Sequence, residues 1–428
     1  MKLITSRVKG INDILPEKVG SWQTVERIAA DSAAVYGFKE IRIPTFENTE
    51  LFVRSVGDTT DVVQKEMFTV MGRESRFTLR PEGTAGVVRA VLENGLLNNS
   101  MPQKLYYLIN CFRHEKPQAG RLWEFHQFGC EMFGSASPDA DAEVISLAKS
   151  VIDRLGLRDI ELHINSIGCP HCREEYYKAL RGFLEPHKEE LCDTCKSRFD
   201  KNPMRILDCK SDICREISSG APIMVDYLCD NCRTHFEGLK ARLDAMGIEY
   251  TIDPKIVRGL DYYTKTVFEF ITTSIGAQGT VCGGGRYDGL IEIMGGKATP
   301  ALGFAMGIER LLLTLKNQGA VLGEERQCDI YIGSMGDAAR QRAAVITRSL
   351  REEGFWAECD VMERGVKAQM KYADKLDAAF SVIIGDNELE NGTAQLKNMK
   401  TGETIELPID DSFTTRFTDI RTADMIAE

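Results

Sequence analysis

The first apolar pattern along the chain has the spacing of a helix. Pro16 suits the first turn of a helix and Gly37 suits its end. Between them, apolar residues recur every three or four positions, at Val19, Trp22, Val25, Ile28 and Ala29. The pattern predicts one amphipathic helix over this stretch.

Most of the later segments alternate apolar and polar residues, as β-strands do. The first of them is FKEIRIPTFE (38–47), whose Pro44 belongs at a sheet edge or a bulge. The others are RFTLRPEG (76–83), KLYYLINCFRHE (104–115), LWEFHQFGCEMFG (122–134), IELHINS (160–166), TKTVFEFITT (264–273) and QGTVCGGGR (278–286). Because several of these runs follow one another after short turns, we expect an antiparallel sheet.

Changes in the residue pattern predict the domain organisation. We expect a core in two parts, 1–166 and 249–320, separated by a charged, helical, cysteine-rich insertion at 167–248. A Gly-containing polar connector at the end of 311–327 leads to a last domain at 328–428. There, the strand patterns CDIYIGS, AECDV, AAFSVIIG and AQLKNM alternate with helical patterns, one of them at 338–353. The predicted fold class is α+β, with a C-terminal α/β domain whose sheet is largely parallel.

Composition and charge limit the function classes. The 428 residues include 53 Lys and Arg and 64 Asp and Glu, a net charge of −11. This balance argues against wholesale coating of nucleic acid but allows local basic faces. No run of eighteen apolar residues occurs, and MKLITSRVKG contains no apolar signal segment, so we expect a soluble cytoplasmic protein that does not contact membranes. The thirteen cysteines are then expected to be thiols or metal ligands rather than disulfides.

One predicted hairpin presents a face with the chemistry of a ligand site. If residues 105–134 turn at 117–120, the period of two places the odd-numbered side chains together. They are Arg113, Glu115, Arg121, Trp123, Phe125, Gln127, Gly129 and Glu131. Guanidinium groups match phosphate oxygens, an aromatic ring can stack on a base, and a glycine lets a ligand approach the backbone. The alternative is a solvated face with surface ion pairs, although aromatic residues and a glycine suit such a face poorly.

Several motifs resemble the class II aminoacyl-tRNA synthetases. The F-R-x-E pair at 112–115 with the following aromatic strand is similar to their motif 2, ALGFAMGIERLLL (301–313) to motif 3, and IRIPTFE (41–47) to motif 1, which builds the dimer interface in that family. RPEGT (80–84), RGLDYYTKTVFEF (258–270) and GGGRYDGL (283–290) resemble the histidyl-tRNA synthetases in particular. Lys116 stands where arginine is more usual, which keeps the positive charge.

The resemblance implies an ATP site. Arg113 would contact the α-phosphate, and Arg310 would clamp the nucleotide from the other side. Phe125 would stack on adenine, while Glu115 and Arg121 lie where the family contacts adenine and the outer phosphates. Arg258 matches an arginine expected to face Arg113 and act as an electrophile. Mg²⁺ would accompany ATP, which is a substrate.

The resemblance also implies a pocket for L-histidine. Glu82 and Thr84, with Gly83 between them, would bind the α-ammonium group, and Gln127 the carboxylate or ammonium region. Glu131, Tyr262 and Tyr263 would recognise the imidazole, which offers a donor and an acceptor. Taken alone, the two tyrosines could simply pack in a sheet. The glycine run 283–285 could be a turn, or a pocket wall on which side chains would collide with substrate.

Eight cysteines fall in the expected insertion, in the pairs CPHC (169–172), CDTC (192–195) and CDNC (229–232) and at Cys209 and Cys214. CDTC with CDNC, that is Cys192, Cys195, Cys229 and Cys232, could bind one structural zinc. Free thiols packed as small hydrophobic groups are the equal alternative. No residue of the catalytic site is expected to bind a protein-held metal ion.

In the last domain, Arg364, Lys367, Lys371 and Lys375 have the spacing of one helix face, and such a basic stripe suits a phosphate backbone. Within the resemblance, this stripe suits the tRNA.

The resemblance implies a homodimeric histidine–tRNA ligase that joins histidine to tRNA(His). Two alternatives remain: a synthetase-like regulatory subunit of ATP phosphoribosyltransferase, and an RNA-binding regulator. Neither His114 nor His126 is expected to be catalytic, because the chemistry needs no protein nucleophile.

Overall fold

The structure is a computed structural model that describes residues 4–57, 60–73, 75–275, 279–320, 322–323 and 326–427. Residues 321 and 324–325 of the predicted connector and residue 278 of a predicted strand lie outside these ranges. The chain divides into two compact units, Met1–Gly323 and Glu324–Glu428. Across the described ranges, no helix combines the length and the apolar character that crossing a membrane requires.

The first part of the first unit alternates helices and strands. Its elements are α1 (Pro16–Val35), β1 (Lys39–Glu40), β2 (Phe46–Asn48), α2 (Thr49–Val56), β3 (Thr69–Met71), β4 (Arg76–Leu79), α3 (Thr84–Glu93), β5 (Gln103–Phe112), β6 (Glu124–Phe133), α4 (Pro138–Arg154) and β7 (Glu161–Ser166). The predicted N-terminal helix is confirmed as α1, which buries Val25 and Ala29 and ends before Gly37, a residue with φ of 78°.

The rest of the first unit contains the insertion and then the remaining strands. The elements are α5 (Pro170–Leu184), α6 (Asp193–Lys201), α7 (Asp212–Ser218), α8 (Asp230–Ala245), β8 (Thr251–Ile252), β9 (Thr264–Ile271), β10 (Thr280–Arg286), α9 (Leu290–Ile293), β11 (Ala301–Gly307) and α10 (Ile308–Asn317). Short 3-10 turns at Glu185–Glu190, Pro203–Ile206 and Met224–Tyr227 connect the helices of the insertion.

A large, mainly antiparallel sheet lies at the centre of the first unit. Its described strands have the order β1-β5-β6-β11-β10-β9-β7-β8. The edge pairs β1 with β5 and β7 with β8 are parallel, and the other neighbours are antiparallel. The predicted hairpin is confirmed as β5 and β6, which pair from Gln103 opposite Phe133 to Phe112 opposite Glu124. The expectation of an antiparallel core is therefore confirmed.

The prediction of a single strand at 38–47 is wrong. β1 lies at the edge of the large sheet, whereas β2 joins a small sheet of order β2-β4-β3. Pro44 stands between them, and it lacks the N–H that a continuous strand would donate. The buried guanidinium of Arg80 donates to the carbonyls of Ile43 and Asn110, each at 2.6 Å. Arg80 thereby connects the chain next to Pro44 with strand β5 of the hairpin.

The insertion shares the apolar core of the sheet. Tyr176 and Leu180 of α5 and Leu239 of α8 belong to the same buried cluster as Phe268 on β9. A charged contact accompanies this packing: Asp141 on α4 accepts from Arg286 at 2.8 Å and lies 3.2 Å from His235 on α8. Because Arg286 and Asp141 are fully buried, each charge depends on the other.

The second unit has its own core. Its elements are β12 (Ile330–Ser334), α11 (Asp337–Glu352), β13 (Ala357–Cys359), α12 (Val366–Lys375), β14 (Phe380–Ile384), α13 (Asp386–Asn391), β15 (Thr393–Asn398), β16 (Thr404–Pro408) and α14 (Phe413–Ala427). Its described strands have the order β13-β12-β14-β15-β16. The predicted strand AQLKNM runs antiparallel to β14, because the eight residues 385–392 are too few for a crossover. The three preceding strands are parallel as expected.

Candidate active site

A cavity of about 410 Å³ opens on one face of the large sheet. It collects most of the side chains that the sequence proposed for ligand binding: Glu82, Thr84, Arg113, Glu115, Arg121, Phe125, Gln127, Arg258, Tyr262, Tyr263 and Arg310. They come from the hairpin, the start of α3, the segment before β9, and α10. One cavity therefore unites residues separated by more than two hundred positions in the chain.

The hairpin supplies the cavity through its odd-numbered face. Gln127 lies opposite Ile109 and Phe125 opposite Cys111, and the loop beyond them carries Arg113 and Arg121. Trp123 points elsewhere: its ring packs 4.4 Å from that of His114, and its Nε1 donates to the carbonyl of Glu115 at 2.7 Å. The loop folds back between residues 118 and 121, where Gly120 has a φ of 71°.

Gly129 does not face a ligand, contrary to the expectation. A Cβ on Gly129 or on Gly83 would overlap the ring of Tyr107, which lies between the two glycines. The hydroxyl of Tyr107 donates to Glu131 at 3.1 Å, and Glu131 is fully buried. Tyr107 therefore lines the cavity, with Gly129 and Glu131 behind it.

One end of the cavity is rich in guanidinium groups. Arg113 donates through Nε to the Pro81 carbonyl at 2.8 Å, and its guanidinium lies 5.3 Å from the centre of the Phe125 ring. Arg121 pairs with Glu115 at 2.7 Å. Burial, and then the charges of Arg121 and Arg113, lower the pKa of Arg310 to about 10. A bound polyanion would relieve this repulsion, so the geometry favours a phosphate ligand here.

Arg310 is itself fixed by backbone acceptors. Its Nη1 donates to the carbonyl of Thr280 at 2.6 Å, and its Nε to the carbonyl of Gly120 at 3.2 Å. These contacts hold α10 to β10 and to the hairpin loop. Such a cation is oriented before any ligand binds.

Arg258 is held in an unusual backbone conformation. Its φ is 61°, in the left-handed region that non-glycine residues rarely adopt. Its guanidinium pairs with Glu269 and lies 5.4 Å from the centre of the Tyr263 ring, and Arg205 donates to its carbonyl. Burial acts to lower the pKa of Arg258, but Glu269 and Tyr263 outweigh burial and the net pKa is raised. Arg258 is therefore a permanent cation.

Two buried carboxyl groups lie at the other end of the cavity, Glu82 in its wall and Glu131 behind the wall. Glu82 accepts from the backbone N–H groups of Thr84 and Ala85, each at 2.8 Å, so it caps the start of α3. Glu131 accepts from the hydroxyls of Thr84 at 2.7 Å and Tyr107, and also from Tyr287. Burial raises the pKa of both groups, to about 8 for Glu131.

The two tyrosines lie beside these carboxyl groups. Tyr262 and Tyr263 are mostly buried, with ring centres 4.6 Å apart, and the Tyr262 hydroxyl is 3.5 Å from Glu82. Gln127 accepts from the thiol of Cys111 at 3.4 Å. The pocket thus offers carboxylate, amide and phenol groups within one small volume, which suits a small ligand with several polar atoms.

Comparison with known proteins identifies the family. The sequence model "Histidyl-tRNA synthetase" matches residues 10–171 and 225–311, and the model "Anticodon binding domain" matches residues 327–415. The chain belongs to the histidyl-tRNA synthetase family. The family resemblance and the fold class expected from the sequence are therefore confirmed.

Individual relatives agree over nearly the whole length. The chain is 56% identical over 409 residues to histidine–tRNA ligase of Acetivibrio thermocellus, covering 95% of this chain and 98% of that one. The corresponding ligase of Caldanaerobacter subterraneus subsp. tengcongensis is 54% identical over 410 residues, covering 96% and 98%. The crystal structure of apo Staphylococcus aureus histidyl-tRNA synthetase has a TM-score of 0.83 at 39% identity, covering 97% of this chain and 100% of that one.

In this member of the histidyl-tRNA synthetase family, several cavity residues were missed by the sequence reasoning. Tyr107 could have been found, because it lies on the same odd-numbered face of the hairpin as Gln127. Glu269, which pairs with Arg258, lies in a strand whose alternation was recognised but not followed to individual residues. Asp208 and Lys210 also line the cavity, and their position within the insertion gave no signal.

The glycine run contributes to the cavity wall, one of its two predicted roles, because Gly283 lines the cavity. A Cβ on Gly283 would overlap the guanidinium of Arg258, which lines the same cavity. Gly284 lies against the backbone of Gly303, and Gly285 against the carbonyl of Thr266. The run therefore makes room for Arg258 and for close strand packing, as part of β10 rather than a turn.

Neither of the two histidines considered by the sequence reasoning lies in the cavity wall. The Nδ1 of His126 is 2.9 Å from Glu309, and its ring lies 4.9 Å from that of Trp22. His114 packs on Trp123 and Phe68. Both rings are packed or partnered.

The predicted grouping of Cys192 and Cys195 with Cys229 and Cys232 is wrong. The structure forms two separate groups of four sulfur atoms: one of Cys169, Cys172, Cys229 and Cys232, and one of Cys192, Cys195, Cys209 and Cys214. Spacing in the sequence could not distinguish the pairings, because every C-x-x-C pair has the same local geometry at a helix start. Cys209 of the second group lies between two residues of the cavity wall, Asp208 and Lys210.

Replacing Glu131 with glutamine should remove a pH-dependent loss of stability. The folded chain keeps the Glu131 proton up to a pKa of about 8. The unfolded chain loses it near pH ~4.3. Stability therefore falls as pH rises between these values, by about 1.4 kcal/mol per pH unit. The stabilisation from protonated Glu131 is fully present below the pKa that this group has in the unfolded chain. It is lost once the pH has risen through the pKa that the group has in the folded chain.

The measurement is urea unfolding of wild type and Glu131→Gln at several pH values between about 5 and 8. The variant is less stable overall, because the amide NH2 of glutamine cannot accept from the surrounding hydroxyls as the second carboxyl oxygen of Glu131 can, but its pH slope should be shallower. Glu50→Gln, at an exposed site, is the control. Parallel slopes for wild type and Glu131→Gln would contradict the raised pKa.

Proposed function

We propose that this chain is a cytoplasmic histidine–tRNA ligase. It activates L-histidine with ATP as histidyl-adenylate and then transfers the histidyl group to the 3′-terminal ribose of tRNA(His). The observation that carries the proposal is the single cavity that joins an arginine-rich end to a pocket of buried carboxyl and phenol groups. The arginine-rich end suits a nucleoside triphosphate, and the pocket of carboxyl and phenol groups suits a small, cationic amino acid.

In the proposed activation step, a carboxylate oxygen of histidine attacks the α-phosphorus and pyrophosphate leaves. Arg113 and Arg310 bind the nucleotide phosphates from two sides of the cavity, and Arg258 approaches from a third. Negative charge builds on the phosphoryl oxygens during the attack, and guanidinium groups already in place stabilise it. No protein nucleophile is needed.

The adenine base is proposed to lie against Phe125, with Glu115 and Arg121 contacting the base and the outer phosphates. The Phe125 ring lines the cavity beside the guanidinium of Arg113. Glu115 is held by Arg121, which fixes both side chains at the cavity mouth. Stacking and one charged hydrogen bond then orient the base.

Histidine is proposed to bind at the other end. Glu82 and Thr84, flanking Gly83, bind the α-ammonium group, and Gln127 binds near the carboxylate. Tyr262 and Tyr263 contact the imidazole, and Glu131 acts from behind through Thr84 and Tyr107. A side chain without ring nitrogens would leave buried polar groups unpaired, and so be rejected.

ATP-dependent activation in this family implies a divalent cation, and we propose Mg²⁺. Hard oxygen ligands suit Mg²⁺, which binds through phosphates and one or two carboxylates and keeps several waters. The ion would therefore enter with the ATP phosphates, in keeping with the expectation that no residue of the site holds a metal ion of its own. The ion would screen the phosphate charges while the arginines orient them.

Pyrophosphate exchange with each amino acid in turn tests the proposal. Histidine alone should support exchange, and tRNA(His) should then accept the histidyl group. Absence of exchange with histidine would refute the activity and favour a histidine-binding regulatory subunit. Exchange without acylation of tRNA would instead refute the role proposed for the second unit.

A homodimer is also proposed. The small sheet carries exposed apolar side chains at Phe46, Val70, Met71 and Phe77, next to the segment that resembles motif 1. Exposed apolar groups clustered on a short edge sheet are typical of an interface. Light scattering should give twice the chain mass of 47.8 kDa, and a mass of one chain would contradict the proposal.

The second unit is proposed to bind tRNA through the lysines of α12. Lys367, Lys371 and Lys375 are exposed on this helix. Arg364 does not belong to the stripe, contrary to the prediction: it precedes α12, pairs with Asp360 at 2.6 Å and lies 4.1 Å from the Tyr372 ring centre. The basic face is therefore smaller than the sequence predicted.

Replacing the three lysines of α12 with alanine should weaken tRNA binding and leave pyrophosphate exchange unchanged. Each lysine that contacts a phosphate adds about one unit to the slope of log affinity against log salt, so the slope should fall by about two to three. Filter binding at several salt concentrations measures this. The control is the triple Lys→Arg variant, which keeps the charge. An unchanged salt slope in the alanine variant would exclude the helix from the interface.

A further inference from the structure

The two cysteine groups share one feature, a C-x-x-C pair at the start of a helix. The first group has two such pairs, and the second has one pair together with Cys209 and Cys214. Cys169 precedes α5, Cys229 precedes α8, and Cys192 precedes α6, each at the N-cap position. The second cysteine of each pair, three residues later, lies in the first turn and is buried. Each C-x-x-C pair therefore aims two sulfur atoms to one side of a helix start.

The first group brings together the starts of α5 and α8. Its sulfur atoms are 3.5 Å apart for Cys169 and Cys172 and 4.0 Å apart for Cys169 and Cys229, and the four lie within 4.8 Å of one another. The backbone N–H of Cys229 donates to the sulfur of Cys172 at 3.2 Å. Such N–H donors are typical partners of a thiolate.

The second group joins the start of α6 to Cys209, before α7, and to Cys214, within α7. The sulfur atoms of Cys192 and Cys209 are 3.8 Å apart, and Cys195 and Cys214 complete the group within the same 4.8 Å limit. The backbone N–H of Cys192 donates to Cys214 at 3.3 Å, and that of Ser211 to Cys209 at 3.5 Å. This group lies wholly in residues 172–224, between the two ranges matched by the family model.

These separations fit four thiolates around one ion. With Zn–S bonds of about 2.3 Å, a tetrahedral site separates its sulfur atoms by about 3.8 Å. A disulfide would need about 2.05 Å. Cysteines that only pack as small apolar groups have no reason to converge in fours with N–H groups directed at the sulfur atoms.

We propose that the insertion binds two zinc ions, one through Cys169, Cys172, Cys229 and Cys232 and the other through Cys192, Cys195, Cys209 and Cys214. Four sulfur ligands in tetrahedral geometry select zinc or iron among the common metals. The second ion would replace the apolar core that the short, charged helices α6 and α7 lack, because Cys195, Phe199 and Cys214 are their buried residues.

The second site also acts on the catalytic cavity. Cys209 lies between Asp208 and Lys210, and both of these line the cavity. Arg205, in the same segment, donates to the carbonyl of Arg258. An ion bound at Cys209 would therefore fix Lys210 near the guanidinium groups that bind phosphate. This part of the inference rests on the proposed ATP-dependent function, and Cys209 is in it a positioning residue.

Metal analysis of the intact chain, purified without an affinity tag and without added metal, tests the sites. We expect two zinc ions per chain. Cys169→Ser with Cys172→Ser, and separately Cys192→Ser with Cys195→Ser, should each leave one. Cys359→Ser, in the second unit and outside both groups, should keep two. Less than one zinc per wild-type chain, or iron in its place, would overturn the proposal.

A second measurement on the wild-type chain does not depend on the folding of variants. Exchange with Co²⁺ should give thiolate-to-cobalt charge-transfer absorption equal to that of two tetrathiolate sites. In the native chain the eight cysteines should react with a thiol reagent only after a chelator is added. Full reaction without the chelator would refute metal binding.

Pyrophosphate exchange separates the two parts of the inference. The Cys192 and Cys195 variant should raise KM for ATP roughly tenfold, the size expected for one displaced charged contact, with KM for histidine little changed. Loss of one zinc with an unchanged KM for ATP would overturn the positioning role alone. If the wild-type chain shows no exchange with histidine, the proposed function fails and the metal count still decides the zinc sites.

Discussion

Replacing Arg258 with alanine is expected to lower the rate of histidyl-adenylate formation by about 10³-fold while changing histidine affinity by less than about threefold. The guanidinium is half-buried in the cavity wall and paired with Glu269, and its Nε finds no hydrogen-bond partner within the described part of the chain. It also occupies a left-handed backbone position. A cation held under such constraints suits stabilisation of charge that develops during the reaction.

Single-turnover kinetics and equilibrium binding of histidine measure the two quantities separately. Arg258→Lys is the matched control, since it keeps the charge but not the planar fork, and it should recover only part of the rate. Equal losses in rate and in histidine affinity would show that Arg258 binds the amino acid in the ground state, contrary to the proposed role.

Replacing Gly283 with alanine is expected to lower the adenylation rate by about 10²-fold, a smaller loss than for Arg258→Ala, without removing any charge. An added Cβ would overlap the Arg258 guanidinium, which must then shift from its place beside Glu269 and Tyr263. A displacement of about 1 Å in a catalytic group commonly reduces rate by about 10²-fold. The effect should fall on the adenylation rate rather than on folding.

A double-mutant cycle makes this prediction specific. The Gly283→Ala change should matter little when Arg258 is already alanine, because the two changes act through the same side chain. Gly289→Ala is the control: it has a φ of −88°, and among the described residues its Cβ would meet no atom within 4 Å. If the two losses simply multiply in the double variant, Gly283 acts through another contact.

Local patterns predicted much of the fold. The spacing of apolar residues identified α1, and alternation identified the β5–β6 hairpin together with the face that carries Arg113 and Gln127. Alternation did not show that Pro44 divides one run between two sheets. Nor did it show that β15 pairs antiparallel with β14, which depends on the length of the connection.

The candidate site could be predicted where sequence motifs identify its residues, but not where the packing of side chains determines their positions. Motif resemblance identified the residues around the cavity, whose individual roles stay predictions. It did not show that Tyr107 fills the space beside Gly129 and places Glu131 behind the wall. The cysteine grouping failed for a similar reason: which C-x-x-C pairs meet depends on how α5, α6 and α8 pack, and spacing along the chain does not encode this.

The apolar core that runs without interruption from the large sheet into α5 and α8 limits how the insertion can behave. A segment joined by a continuous hydrophobic interior cannot swing away as a rigid lid without exposing that interior to water. Its adjustments during turnover must therefore be short displacements of the loops beside the cavity. The insertion should also melt cooperatively with the sheet rather than ahead of it.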